Sequence, residues 1–329
     1  MIWLRCKAGL NIGTGHAVRC LSLARAIQAE GHEAGIILDH DNTAFLMQAE
    51  TVGIPALTIT PHDNLADEVS GFPAGPVLVD LSNAILLDQL FGLIAALQAQ
   101  GRKTALIEGL DKEVYQGPAE PDLVITPYIG AEAETPRPAK RWIGGGRYAV
   151  LGPEYDTATT SLDNREGVLV MLSGSDPWHL TEQVIGALAD HGASLRIAIG
   201  NSIPHDRALK LAAAAEAIGA TPLMSPDGLF QHFNAARACI LGPGLAKYEA
   251  AATGTPSVIV CPDARYADMQ SAFISRGLGH LINAEEPDLK ARLDAALDVA
   301  LTETPHHPGP IDGQGARRVA RELIRTFGE

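Results

Sequence analysis

The chain has 329 residues and a formal net charge of −14, from 25 Lys and Arg against 39 Asp and Glu. A surface this acidic argues against a nucleic-acid partner, so an anionic ligand must be met by a local pocket. No segment stays apolar for the ~18 residues of a membrane span, and the N-terminus lacks the parts of a signal peptide, so a cytoplasmic protein with no membrane span is expected; the length suits two domains.

Taken in order, the chain opens on a short apolar strand around Leu4 to Lys7, a turn containing Gly13, Thr14 and Gly15, and a helix from about His16. Ala17, Cys20, Leu21, Ala24 and Ile27 give that helix one apolar face at the period of a packed amphipathic helix. The glycines therefore fall where strand meets helix, where unpartnered N–H groups and the helix dipole favour an anion. His16 stands at the helix start, where the dipole favours a neutral imidazole that can take a proton from water. The same pattern also suits a surface histidine after an ordinary turn.

Strands follow at Ala34 to Asp39, Ala56 to Thr60, Val77 to Asp80, Lys103 to Glu108 and Asp122 to Thr126, with helices to about Val52 and from about Asn83 to Gln100. Alternation of this kind predicts a parallel sheet covered on both faces. Asp80 falls at a strand's C-terminal end, the edge where such sheets bind ligands, although a turn or a helix cap would also explain it. From Pro136 to Arg165 the composition shifts to proline, glycine and polar residues, and residues 156–166 read as the linker between domains 1–155 and 167–313.

The second half repeats the architecture without repeating the sequence. Strands are expected at Gly167 to Leu172, Leu195 to Ile199, Thr221 to Met224, Ala238 to Leu241 and Ser257 to Cys261. After the first of these, Ser173-Gly174-Ser175-Asp176-Pro177 reads as a turn with Ser175 or Asp176 at the helix N-cap and Pro177 at the first helical position. Gly242-Pro243-Gly244 closes another strand and opens a helix, with bare backbone fit for a diphosphate. Glu249, one turn in, can accept two hydrogen bonds from a vicinal diol such as a ribose, or be a solvated helix residue. Asp268-Met269-Gln270 reads as the start of the next helix, and residues 314–329 as a terminal helix able to pack back on the first domain. Cys6, Cys20, Cys239 and Cys261 sit in apolar runs without a Cys-x-x-Cys pair and read as reduced core residues; His306-His307-Pro308 reads as a solvated loop rather than a metal site.

The first glycine turn fails as a dinucleotide fingerprint, since Val18 occupies the third glycine position, and no Gly-Lys-Ser/Thr loop exists. Two doubly wound α/β domains facing across a cleft, each with a helix start at it, suit a sugar nucleotide better. The chain resembles the UDP-sugar hydrolases of the pseudaminic acid pathway, which act on UDP-2,4-diacetamido-2,4,6-trideoxy-β-L-altropyranose, and related spore-coat polysaccharide proteins, both similar to GT-B glycosyltransferases. The resemblance spans nearly the whole chain. It rests on Ile12-Gly13-Thr14-Gly15-His16 with Arg19, on Asp80, on Arg147 to Tyr155, on Ser173-Gly174-Ser175-Asp176-Pro177, and on Glu249 with Gln270.

The resemblance implies hydrolysis without metal or other cofactor: water attacks the anomeric carbon with inversion, and UDP departs. His16 is then the general base, and Gly13, Thr14, Gly15, Arg19 and Asp80 lie on the substrate. Ser173, Gly174, Ser175 and Gln270 join them, Gly244 and Leu245 offer backbone N–H groups to the diphosphate, and Glu249 holds the ribose. The chain departs from the family at Ser82, where a tyrosine is usual, at Glu108-Gly109 in place of an aspartate pair, at Gly152 in place of an arginine, and at Met269 in place of an asparagine. The nucleotide side is better kept than the sugar side, which leaves room for a transferase using the same base on an acceptor hydroxyl, or for a sugar-nucleotide binding protein without catalysis.

Overall fold

The computed structural model describes residues 1–7, 15–39, 43–81, 87–108, 119–157, 159–303, 309 and 311–328. Two compact units divide them: Met1–Pro153 with Gly313–Glu329, and Glu154–Asp312.

In the first unit the described elements are β1 (Ile2–Cys6), α1 (Gly15–Ala29), β2 (Ala34–Asp39), α2 (Thr43–Thr51), β3 (Ala56–Ile59), β4 (Val77–Asp80), α3 (Leu87–Ala99), β5 (Thr104–Ile107), β6 (Leu123–Thr126) and β7 (Trp142–Gly144). They build a parallel seven-stranded sheet of order β3-β2-β1-β4-β5-β6-β7. The order reverses between β1 and β4, and it is beyond the carboxyl ends of strands at such a reversal that open α/β sheets hold their ligands. Side chains alternate along β1: Leu4 and Cys6 pack on the α1 face, Trp3 on the α3 face. Arg5 also points to the α3 side and is fully buried, held by Asp39 at 2.6 Å and by Glu68 at 2.9 Å, as a buried cation requires.

The second unit holds β8 (Val168–Met171), α4 (Leu180–Ala187), β9 (Leu195–Ile199), α5 (His205–Ala217), β10 (Thr221–Met224), α6 (Phe230–Ala235), β11 (Ala238–Leu241), α7 (Ala246–Ala252), β12 (Ser257–Cys261), α8 (Ala264–Met269), α9 (Ser271–Ile274), β13 (His280–Asn283) and α10 (Leu289–Thr302). Its parallel sheet runs β10-β9-β8-β11-β12-β13, with the reversal between β8 and β11. The last helix, α11 (Gly315–Gly328), belongs to the first unit, where Val319, Ala320 and Leu323 share a core with Leu21, Ala24 and Ile27 of α1. All four cysteines are free and buried.

Three expectations change. β7 arises in a stretch read as irregular and β13 in one to which no element was assigned, each a short edge strand next to glycine. α4 starts at Leu180 rather than at Pro177: Asp176 takes a left-handed backbone (φ 46°), and its carboxylate accepts from Leu180 N (3.0 Å) and Thr181 N (3.1 Å), capping the helix from four residues upstream. Asp268 ends α8 instead of opening a helix, because Asp263 caps that helix by accepting from Tyr266 N at 2.9 Å. Residues 306–308 lie outside the described residues.

Candidate functional site

Gly13 and Thr14 lie outside the described residues, as do the departures Ser82 and Gly109. α1 begins at Gly15, so His16 occupies its first turn and Arg19 follows three residues on, over the same face. Asp80 comes from another strand, opposite Cys6 in the register of β1 and β4. Its carboxylate is fully buried and receives both side chains. His16 Nδ1 lies 2.7 Å from Oδ1, while Arg19 donates from Nε to Oδ2 (2.7 Å) and from Nη2 to Oδ1 (2.5 Å).

Burial pushes the Asp80 carboxyl up, but Arg19 and His16 overcome it and hold the group well below the usual carboxylate range. Arg19 is shifted the other way: burial lowers its pKa, the Asp80 charge and hydrogen bonds outweigh that, and the guanidinium stays charged. An ionised Asp80 can only accept, so the Nδ1 facing it carries a proton, with Arg19 Nη2 3.2 Å from the same nitrogen; in the neutral ring the lone pair is then on Nε2. This is the base-plus-orienting-carboxylate arrangement by which an imidazole is readied to take a proton. Gly15 is exposed, and a Cβ built on it would meet nothing within 4 Å among the described residues, none of which requires the glycine.

Neighbouring polar groups on this sheet edge are already engaged. Glu108, which follows β5, accepts from Arg137 Nε (2.7 Å) and from the Thr126 hydroxyl (2.9 Å).

In the second unit the exits of β8 and β11 flank the reversal of strand order. Gly242 is pressed onto the Leu172 carbonyl, where a Cβ would come within 1.8 Å, and Gly200 onto Gly174 in the same way at 2.2 Å. Gly244, two residues further, is exposed with open space where its Cβ would be. The Ser173 hydroxyl accepts from Ser175 N at 3.3 Å, and the Gly174 carbonyl from Ser202 N at 3.0 Å, which fixes that turn. Leu245 precedes α7 with helical backbone and no side-chain cap.

Glu249 is half-buried in the first turn of α7, and burial pushes its carboxyl up to about 7. The buried Tyr155 hydroxyl faces it but finds no hydrogen bond of ordinary geometry. Gln270 is fully buried between α8 and α9: its amide nitrogen donates to Tyr266 O at 2.9 Å, and its oxygen accepts from Lys247 Nζ. Lys247 also donates to Pro243 O at 3.0 Å and lies over the Tyr248 and Phe273 rings. Gln270 thus acts through Lys247 on the Gly242–Gly244 segment. Lys247 was not singled out in the sequence, and Tyr155 only as the end of the Arg147 to Tyr155 segment, with no role of its own; the one signal for Lys247 was a lone cation two residues before Glu249.

No protein-family model matches the chain, and no curated protein matches it. Solved structures do. S. aureus MnaA bound to UDP superposes with a TM-score of 0.66 at 13% identity, covering 99% of this chain and 96% of that one. The spinosyn rhamnosyltransferase SpnG complexed with thymidine diphosphate gives 0.64 at 15%, covering all of both chains. Methanocaldococcus jannaschii UDP-GlcNAc 2-epimerase in complex with UDP-GlcNAc and UDP gives 0.62 at 12%, covering 99% of this chain and all of that one. The chain has the two-Rossmann architecture of the GT-B fold.

Proposed function

We propose that this protein is an enzyme that acts on a UDP-linked sugar and hydrolyses it to the free sugar and UDP. The observation that carries the reading is the 2.7 Å pairing of His16 Nδ1 with buried, ionised Asp80, which in the neutral ring assigns the lone pair, and so the role of base, to Nε2. In the proposed step a water oxygen bonds to the anomeric carbon as the bond from that carbon to the diphosphate oxygen breaks. The water proton passes to His16 Nε2, the electron pair leaves with UDP, and configuration inverts. Gly244 and Leu245 meet the diphosphate with backbone N–H groups and Glu249 meets the ribose hydroxyls; the open space at Gly244 and the half-buried Glu249 carboxyl support those assignments. Three similar structures hold UDP, UDP-GlcNAc with UDP, or thymidine diphosphate, which supports a nucleotide-sugar ligand. The finer assignment, a diacetamido-trideoxy-altrose sugar used in surface-glycan synthesis by a metal-independent enzyme, rests on the sequence resemblance.

The second reading is a glycosyltransferase in which His16 deprotonates an acceptor hydroxyl. Similarity to SpnG over the whole chain favours keeping it. Proton and phosphorus NMR with a panel of UDP-sugars and no acceptor separates the two. Release of UDP with an inverted free sugar, undiminished by chelator and abolished in His16→Ala, is expected of the hydrolase. UDP binding without turnover would overturn hydrolysis in favour of transfer or of a binding protein.

A further inference from the structure

Of the three tryptophans, Trp3 and Trp142 spend their indole N–H on Ala74 O (3.1 Å) and Thr126 Oγ1 (2.8 Å), whereas Trp178 is 41% exposed. Among the described residues it is the one aromatic of the large hydrophobic side chains left exposed. Trp178 lies between β8 and α4, at the ligand edge of the second sheet. The residues that bracket its dipeptide, Asp176 and His179, both have left-handed backbones, φ 46° and 53°. Such outliers persist only where the surroundings enforce them. Here Asp176 is clamped from both sides: its carboxylate caps Leu180 and Thr181, while Arg207 of α5 donates to its carbonyl (2.9 Å) and its Oδ2 (2.6 Å).

Among the described residues the exposed ring has one ring partner. Trp178 meets Tyr266 of α8 edge-on, with centroids 4.8 Å apart and planes at 64°. Tyr266 is itself fixed, its N–H given to Asp263 and its carbonyl taken by Gln270. β8 and β12 are not neighbours; β11 runs between them. Rings that leave those two strands and touch therefore bridge across the exit of β11, the Gly242–Leu245 segment.

We infer that the exposed Trp178 indole, braced edge-on by Tyr266, is a stacking platform for the pyranose ring of the sugar nucleotide, an inference that rests on the assignment of the diphosphate to Gly244 and Leu245. A pyranose joined to the diphosphate has to lie beside that segment. Its C–H-rich face suits the negative face of an aromatic ring, and deoxy positions or acetamido methyls enlarge the apolar area. The clamped backbone keeps the indole extended before the ligand arrives, so no ordering of the loop opposes binding.

Trp178 is the single tryptophan of its unit, so its fluorescence reports on the platform. Wild type, Trp178→Phe and Trp178→Ala are titrated with UDP and with UDP-N-acetylglucosamine, by tryptophan emission where the indole remains and by calorimetry throughout. UDP-N-acetylglucosamine is expected to quench Trp178 more than UDP does. Trp178→Ala should weaken its binding about tenfold, or ~1.4 kcal/mol, and leave UDP affinity within about twofold; Trp178→Phe should recover part of the loss. Equal binding of UDP-N-acetylglucosamine to wild type and Trp178→Ala, with UDP still bound, overturns the platform and leaves the nucleotide reading standing. Equal quenching and equal loss with UDP alone assigns the ring to the base and likewise overturns it. Failure of wild type to bind either compound overturns both.

Discussion

At the scale of single residues, two carboxyl groups, one in each unit, couple stability to pH in opposite senses. Asp80 is held ionised by Arg19 and His16, so it stabilises the fold above the ordinary aspartate pKa of about 3.9 and loses that contribution as pH falls through its depressed folded value. Asp80→Asn leaves Arg19 buried without its anion and should cost about 3–5 kcal/mol, read as a lowered urea midpoint. His16→Ala removes the proposed base and should cut turnover by about 10²–10⁴ with UDP affinity kept; unchanged turnover would remove His16 from the mechanism.

Glu249 works the other way. Its folded pKa of about 7 exceeds the ordinary 4.5, so the native state keeps a proton that the unfolded chain gives up, and stability is lost as pH rises from 4.5 to about 7. Glu249→Gln should therefore stabilise the protein at pH 8, by up to ~3 kcal/mol, and hardly at all at pH 4.5. The same change should weaken UDP binding, since an amide cannot accept from both hydroxyls of a diol. Thermal melts at the two pH values and one UDP titration check both halves; unaltered UDP affinity would sink the ribose assignment. None of this polarity was legible beforehand. His16 and Asp80 were each visible at an element boundary, but 64 positions separate them, and only the strand order brings them within 2.7 Å.

At the scale of elements, the glycines sort into two kinds that sequence treats alike. Gly242 is a packing glycine, since a Cβ there would strike the Leu172 carbonyl, and Gly242→Ala should destabilise by about 1–3 kcal/mol. Gly15 and Gly244 face open space with no left-handed backbone. Alanine at either should leave the melting temperature unchanged or raise it slightly, and weaken nucleotide-sugar binding if the space is the ligand's. A loss of stability in Gly15→Ala would show instead that the glycine serves the fold.

The alternation of strand and helix was legible because buried parallel strands such as Val77–Asp80 and Ala238–Leu241 are continuous apolar runs. β7 and β13 were not, because three or four residues at a sheet edge bury too little to leave a pattern. The start of α4 was misplaced for another reason: a side chain four residues upstream does the capping, a link that nearest-neighbour rules do not contain.

At the scale of the whole molecule, the two units differ in how the chain supplies them. The second is one continuous stretch, Glu154–Asp312, whose core draws on β8, β9, β11 and β12 with α4, α5 and α10. The first needs both ends of the chain. On α11, Ala316, Val319, Ala320 and Leu323 are buried in the α1 core, and Arg141 pairs with Glu322 at 2.6 Å. Burying one valine and one leucine is worth roughly 1.5–3 kcal/mol each and the two alanines add less, so α11 supplies about 5 kcal/mol. That is comparable with the whole stability of an ordinary domain, about 5–15 kcal/mol. Deleting residues 314–329 should therefore unfold the first unit selectively. The truncated chain is expected to lose protection from hydrogen exchange in β1, β2 and α1 while β8, β11 and β12 keep theirs, and to retain UDP affinity while losing turnover. Loss of protection in both units together would show that they fold as one cooperative block, and intact β1 and α1 would show that α11 is dispensable to the core it covers.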